Sequence, residues 1–381
     1  MKSSSRSAVD PFIVMDVMQK AAEAEAKGHD IIHMEVGQPG TPAPQSALDL
    51  VATRMRDDPL GYTVALGLPE LRAGIAALYL RWYGVRVDPS RIVVTAGSSA
   101  AFQLAFLAAF DAGDSVAIGD PGYPSYRNIL KALNLEVVPI ETSAAHRFQP
   151  VASDIEAIDD LKGLLIASPA NPTGTMLDHA ALEALINCCR DRGISFISDE
   201  IYHGLHYEDR AVSALEVSDD VIVINSFSKY FSMTGWRIGW MVVPDDMVRT
   251  VERLAQNFFI CAPHVSQLAA LGALSGIEEL EANRAVYAEN RKLMLAGLKA
   301  AGFRDLAPPD GAFYIYADVS AFTDDSVAFA AEILEKARVS VTPGLDFDPA
   351  RGGQWMRFSY ARSTADIREG LRRLKDFMAA K

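Results

Sequence analysis

Cysteine is scarce in this 381-residue chain. There are three: the neighbours Cys188 and Cys189, and the remote Cys261, with no CxxC pair and no spacing that suits a metal. A disulfide framework is thereby excluded, and a reducing, cytoplasmic setting is the expectation. Basic charge is also in short supply, since 36 Lys and Arg against 49 Asp and Glu leave a net −13. No block of like charge is long enough to form a basic patch. An acidic chain of this kind is repelled by nucleic acid and by anionic membrane surfaces. Long apolar runs are missing as well. The start, MKSSSRSAVDPF, lacks the apolar core of a signal peptide. The longest apolar stretch, Ala100–Phe110, is about half of the roughly 20 residues that cross a bilayer. Neither a nucleic-acid nor a membrane partner is expected.

What is present is 50% hydrophobic and 22% charged, the balance of a globular chain that buries a large core. The length exceeds one ordinary core, so two domains are expected. Asp10–Lys27 has helical periodicity, Asp30–Val36 reads as a strand, and Gly37–Pro44 forces a turn. Leu68–Tyr83 is a second amphipathic helix. Short apolar runs follow at Ile92–Thr95, Ser115–Ile118, Gly163–Ala167, Ile194–Ile197 and Val221–Ile224. Helical segments such as Ala100–Phe110, Ser125–Leu133 and Ala180–Asp191 separate them. Strands that are apolar throughout and alternate with helices predict an α/β fold with a mostly parallel sheet covered on both faces. Beyond about Ile277 come a long helix, Glu278–Ala301, strands near Phe313–Tyr316 and Trp355–Ser359, and helices at Ser326–Ala337 and Asp366–Ala379. The expected division is a large domain over 46–277 and a smaller α+β domain made of 1–45 together with 278–381.

Four loops follow the expected strand ends, where open α/β sheets place their ligands. Ile92–Thr95 leads into Ala96-Gly97-Ser98-Ser99 and a helix, whose first N–H groups suit a phosphate. Gly163–Ala167 leads into a loop containing Asn171-Pro172-Thr173-Gly174. Ile194–Ile197 ends near Asp199, with Tyr202 three residues on, and Val221–Ile224 leads into Ser226-Phe227-Ser228-Lys229. An Asp, an Asn, a Tyr and a Lys thus converge on one rim. Taken singly, each has a plainer explanation: a solvated lysine, a helix-capping aspartate, a turn. Together they suit pyridoxal phosphate (PLP), which needs an amine for its aldehyde, an anionic partner for its ring nitrogen, donors for its phenolic oxygen and a cation for its phosphate.

The run Ser226–Gly239, SFSKYFSMTGWRIG, resembles the lysine signature of the class I/II aminotransferases, with Arg237 eight residues beyond Lys229. Matches extend along the chain: GYTVALGLPELR at Gly61–Arg72, DPGYPSY at Asp120–Tyr126, NPTG at Asn171–Gly174, DEIY at Asp199–Tyr202 and MRFS at Met356–Ser359. The resemblance implies PLP fold type I and an aspartate-aminotransferase-like enzyme. Such an enzyme moves an amino group between an L-amino acid and a 2-oxo acid by a ping-pong mechanism, as a homodimer with shared sites. It further implies that Lys229 forms the Schiff base and then shuttles the proton at the substrate α-carbon. Asp199 pairs with the ring nitrogen, Tyr202 and Asn171 face the 3′ oxygen, and Tyr123 stacks on the ring. The phosphate falls to Gly97, Ser98, Ser99, Ser226, Ser228 and Arg237, and Tyr62 reaches the phosphate of the other subunit. Arg357 pairs with the substrate α-carboxylate, with Gly37 and Asn171 beside it. A β-lyase or a decarboxylase on the same scaffold stays open, as, more remotely, does a non-catalytic PLP-binding regulatory module.

Glu200, His203 and His206 mimic a metal cluster, but they belong to the DEIY segment and no further ligand is evident, so no metal is expected. Phe258-Phe259 and the Trp236/Trp240 pair read as core or interface packing. Arg362 is either a solvated charge or a substrate-side contact. Gly97–Gln103 carries no basic residue that could pair with a distal substrate carboxylate. Burying such a carboxylate unpaired costs several kcal/mol, so neutral donors, aliphatic or aromatic, are expected to be at least as good as aspartate.

Overall fold

The structure is a computed structural model and describes residues 3–381; Met1 and Lys2, at the head of the Ser-rich start, lie outside the described residues. The first strand, β1 (Ile32–His33), stands apart from the main sheet. That sheet is built from β2 (Ile92–Thr95), β3 (Ser115–Asp120), β4 (Glu136–Glu141), β5 (Leu161–Ala167), β6 (Ser195–Asp199), β7 (Ile222–Ser226) and β8 (Gly239–Val242). Its order is β2-β8-β7-β6-β5-β3-β4. The ladders are parallel except where β8 pairs antiparallel with β2 and β7.

Side chains alternate across a strand, so a sheet covered on both faces needs apolar residues at every position. On β5, Leu164 and Ile166 enter one core while Leu165 enters the other. On β7, Val223 faces the first core and Ile222 and Ile224 the second; on β8, Trp240 and Val242 face the first and Met241 the second. Helices Ser98–Ala109 and Val248–Phe258 cover the second face together with Pro124–Ala132. Helix His264–Ala273 packs against Gln45–Asp57, closely enough that a Cβ on Gly272 would come within 2.8 Å of the Ala47 Cα.

After the long helix Ile277–Ala300 come β9 (Tyr314–Asp318), β10 (Val339–Ser340), β11 (Thr342–Pro343) and β12 (Trp355–Ser359). β11, β12 and β9 form an antiparallel sheet in that order, and β1 pairs in parallel with β10. The expected strand Asp30–Val36 is thus cut to two residues. The reason lies in its backbone partners: Met34 N–H donates to the Ser340 carbonyl (2.8 Å), while the Met34 carbonyl accepts from Ser359 (2.7 Å), so no single ladder continues. Four strands, β4, β8, β10 and β11, and the helices Gln45–Asp57, Ala152–Glu156, Val248–Phe258 and His264–Ala273 have no counterpart in the sequence reading. β4 is an edge strand with Pro139 inside it and glutamates at both ends, a pattern that reads as loop. Trp240 lies in the core and Phe258 is largely exposed. Among the described residues no helix is long and apolar enough to cross a membrane.

Candidate active site

The carboxyl ends of β2, β5, β6 and β7 share one edge of the large sheet, because these strands run the same way. β8 runs back against them. The residues that lead into β8 therefore return to that edge, which is what brings Arg237 beside Gly97. Between this rim and residues of helix Ile13–Ala26, β9 and β12 lies a cavity of about 310 Å³. Gly37, Ser98, Ser99, Tyr123, Asn171, Asp199, Tyr202, Ser228, Lys229, Arg237 and Arg357 line it. Three expected site residues do not. Gly97 sits just behind Arg237; Ser226 is buried, its hydroxyl 3.1 Å from the Ile238 carbonyl; and Tyr62 lies on the surface, 83% exposed. A larger cleft of about 870 Å³ lies elsewhere, near His146 and His179, and none of the expected residues lines it.

Lys229 follows β7, and its amine donates to the Gly37 carbonyl at 2.6 Å. Burial pushes its pKa down to about 8, helped by the positive charges of Arg357 and Arg237 and opposed by Asp199. Asp199, at the end of β6, is buried, and this raises its pKa to about 6. Hydrogen bonds from the Tyr126 hydroxyl and from the Ile201 N–H (3.0 Å), with the Lys229 charge, hold it down. Tyr202 stands between, its ring 5.8 Å from the lysine nitrogen and its hydroxyl 2.8 Å from that of Tyr314.

At the other end of the cavity the helix Ser98–Ala109 starts at Gly97, whose φ of 80° favours glycine. No side chain caps this helix start, so its first N–H groups remain available to an anion. A Cβ on Gly97 would run into the Arg237 guanidinium, which is exposed at the cavity mouth and donates to the Thr234 carbonyl at 3.0 Å. Opposite, Arg357 on β12 is buried between the rings of Tyr314 (4.3 Å) and Phe347 (4.7 Å). It donates to Asn171 Oδ1 at 2.8 Å and to the Glu35 carbonyl, while its Nε has no partner. A buried, always-charged guanidinium with a donor still free is suited to a carboxylate.

The sequence reading did not find Tyr126, Tyr314, or the apolar wall formed by Phe12, Val14, Met15 and Met18. Tyr126 had a signal, since it lies three residues from Tyr123 within DPGYPSY and so on one helical face. The wall had none, because an apolar helix stripe reads equally as core packing. Glu200 and His203 are committed to protein partners. Glu200 accepts from Ser213 and from the Ala214 N–H at 2.8 Å, and His203 lies 2.6 Å from the Tyr83 hydroxyl and 2.8 Å from the Ser168 carbonyl. Burial drives His203 down to about 3 and His206 to about 4. Arg362 does not line the cavity; its carbonyl accepts from Asn290 at 2.7 Å.

Residues 29–374 match the family model for aminotransferase class I and II. A valine–pyruvate aminotransferase of Mycobacterium tuberculosis is 48% identical over 378 residues, covering 98% of this chain and 97% of that one. A crystal structure of an aminotransferase from Mycobacterium tuberculosis superimposes with a TM-score of 0.98 at 47% identity, over 100% of both chains. An aspartate aminotransferase of Thermus thermophilus, solved with maleate, gives 0.93 at 32% identity, over 99% of this chain and 100% of that one.

Proposed function

The chain belongs to the class I and II aminotransferases, is PLP-dependent, and moves an amino group between an L-amino acid and a 2-oxo acid; from that premise we propose that its donor is a neutral, aliphatic amino acid. The observation that carries the donor class is the cavity lining. Apart from Lys229, Arg237 and Arg357, no cation lines it among the described residues, and Phe12, Val14, Met15, Met18 and Phe102 make an apolar wall. A second substrate carboxylate there would lose its hydration without gaining a partner. The name of the valine–pyruvate aminotransferase, 48% identical, supports the same donor class.

The residues present fit the cofactor. An uncapped helix start beside Arg237 suits its phosphate, and a buried carboxylate across the cavity suits its ring nitrogen. Gly97, Ser98, Ser99, Ser228 and Arg237 would hold the phosphate, with Ser226 bracing Ser228 from behind (2.9 Å). Asp199 would hold the ring nitrogen, Tyr123 the ring face, and Tyr202 and Asn171 the phenolic oxygen. When bound, PLP supplies an aldehyde and an electron-withdrawing ring that stabilises negative charge at the substrate α-carbon.

The protein's own part follows from its charges. An amine held near a pKa of 8 is neutral in a useful fraction of molecules at physiological pH, so Lys229 would supply the amine that the aldehyde needs and would hold and move the α-proton. Arg357 fixes the α-carboxylate, with Gly37 and Asn171 beside it, and so orients the α-hydrogen toward Lys229. Because the amino group is taken up and released in separate half-reactions, the kinetics are ping-pong.

The same reading takes the enzyme as a cytoplasmic homodimer, in which Tyr62 completes the neighbour's phosphate seat. It divides the chain into a large domain over 46–277 and a small one formed by 1–45 with 278–381, a division supported by the β1–β10 ladder. A donor-by-acceptor screen on purified holoenzyme tests the donor class. Valine, alanine or leucine should equal or exceed aspartate in kcat/KM; a value for aspartate far above all three overturns it.

A further inference from the structure

Helix Ile13–Ala26 brings the apolar wall to the cavity, yet its own start is not capped locally: Phe12 occupies the N-cap position without a side-chain hydrogen bond. The missing acceptor comes from the far end of the chain. The buried Asp346 carboxylate accepts from the Ile13 N–H (Oδ1, 2.9 Å) and from the Val14 N–H (Oδ2, 3.2 Å). A carboxylate at a helix N-terminus satisfies free N–H groups and meets the positive end of the helix dipole. The other ties at this end are the edge of Phe12 against the Tyr123 ring (5.7 Å), the buried Val14 and a hydrogen bond from Asn128 to the Asp10 carbonyl (3.3 Å). Asp10 is tied to Lys131 by an exposed pair at 3.2 Å, and Met15 is 54% exposed.

Asp346 is itself fixed to the substrate's other binding group. It ends the turn Gly344–Asp346 that follows β11, and β11 pairs with β12 at Thr342 opposite Arg357. Its carbonyl accepts from Arg127 at 2.6 Å. The next residue, Phe347, presses its ring on the Arg357 guanidinium at 4.7 Å. One dipeptide therefore touches both the α-carboxylate clamp and the start of the side-chain wall.

We propose that Asp346 is a positioning residue for donor specificity: it sets the distance between the wall of Phe12, Val14, Met15 and Met18 and the Arg357 guanidinium. This rests on the neutral-donor reading above. The pocket that results holds a branched aliphatic side chain more tightly than a methyl group, because the wall closes on it only while Asp346 caps the helix.

Asp346→Ala and Asp346→Asn holoenzymes test this against wild type. The measurements are kcat and KM for valine and for alanine, the cofactor absorbance, and hydrogen exchange of the peptide covering residues 12–18. Losing the cap should raise KM for valine on the order of ten-fold. KM for alanine and kcat for both donors should change far less, so the valine-to-alanine ratio contracts. Exchange at residues 12–18 should quicken while cofactor absorbance is retained. Asp346→Asn, which keeps one acceptor oxygen, should fall between, and it decides the matter if Asp346→Ala does not fold. A uniform fall in kcat/KM with an unchanged ratio overturns the assignment while leaving the neutral-donor reading intact. A wild type that itself prefers aspartate removes both.

Discussion

At Asp199 two effects oppose each other. Burial favours the neutral acid, whereas the Tyr126 hydroxyl, the Ile201 N–H and the Lys229 amine favour the anion, and the balance lies at about 6. Only the anion pairs with a protonated ring nitrogen. PLP affinity of the apoenzyme should therefore hold steady above this value and fall as the pH drops through 6. Asp199→Asn removes the charge at nearly constant volume. Breaking a buried pair costs about 3 kcal/mol, which corresponds to roughly a hundred-fold in cofactor affinity at pH 8. The acid-side fall near pH 6 should vanish with it. Equilibrium titrations from pH 5 to 8 read both effects, and a variant that binds like wild type at pH 8 removes Asp199 from the ring-partner role.

Elements short of backbone partners are held here by side chains. β1 has two residues, and His33 ties it to its surroundings, with Nδ1 2.8 Å from Glu35 and Nε2 3.1 Å from Glu25 of the first helix. The hydrogen bond to Glu35 leads in raising His33 to about 8, against burial. A group whose pKa rises on folding stabilises most below its unfolded value, near 6.5, and that contribution is lost as pH passes the folded value. His33→Gln should thus cost about 2 kcal/mol at pH 6 and almost nothing at pH 9. Urea denaturation at the two pH values checks this; an equal loss at both contradicts it. The same scale shows what was legible in the sequence. β2 and β12 match their expected bounds, since apolar runs between turn residues leave one reading. β8 was hidden because GWMV continues a catalytic signature, and β4 because an edge strand carries charge and proline where a central strand does not. Site residues from strand-end loops were legible for the reason that motifs sit there. Tyr314 was not, because a core tyrosine and a site tyrosine look alike until Gly37 is seen to leave room for its hydroxyl.

Among the described residues, four of the thirteen exposed large apolar side chains lie where two segments meet. Tyr62 and Val64 (59%) lie on one; Phe258 (59%) and Ile260 (51%) lie on or just before the other. The segments are joined by the Gly61–His264 hydrogen bond at 3.0 Å and the Thr63–Gln267 bond at 2.9 Å. A patch of this kind marks a partner surface. Light scattering should give twice the chain mass of 41.3 kDa, and a Val64→Asp/Ile260→Asp double variant should shift the protein toward monomer and weaken cofactor retention. An active monomer defeats the shared-site arrangement. The reversal of β8 bears on something slower than binding or folding, namely which parts of this enzyme can drift. Lys229 and Arg237 both line the cavity, and one loop carries them between strands whose register is fixed at Ser226–Gly239 and Val223–Val242. Residues along that loop can be exchanged, but inserting or deleting one slips either the register or the grip. The wall on helix Ile13–Ala26 is held by the Asp346 cap and by side-chain packing rather than by a strand ladder, and it can be resized without disturbing the sheet. New donor ranges in this lineage are to be sought there, at the chain's first helix, while the length of the lysine loop stays frozen.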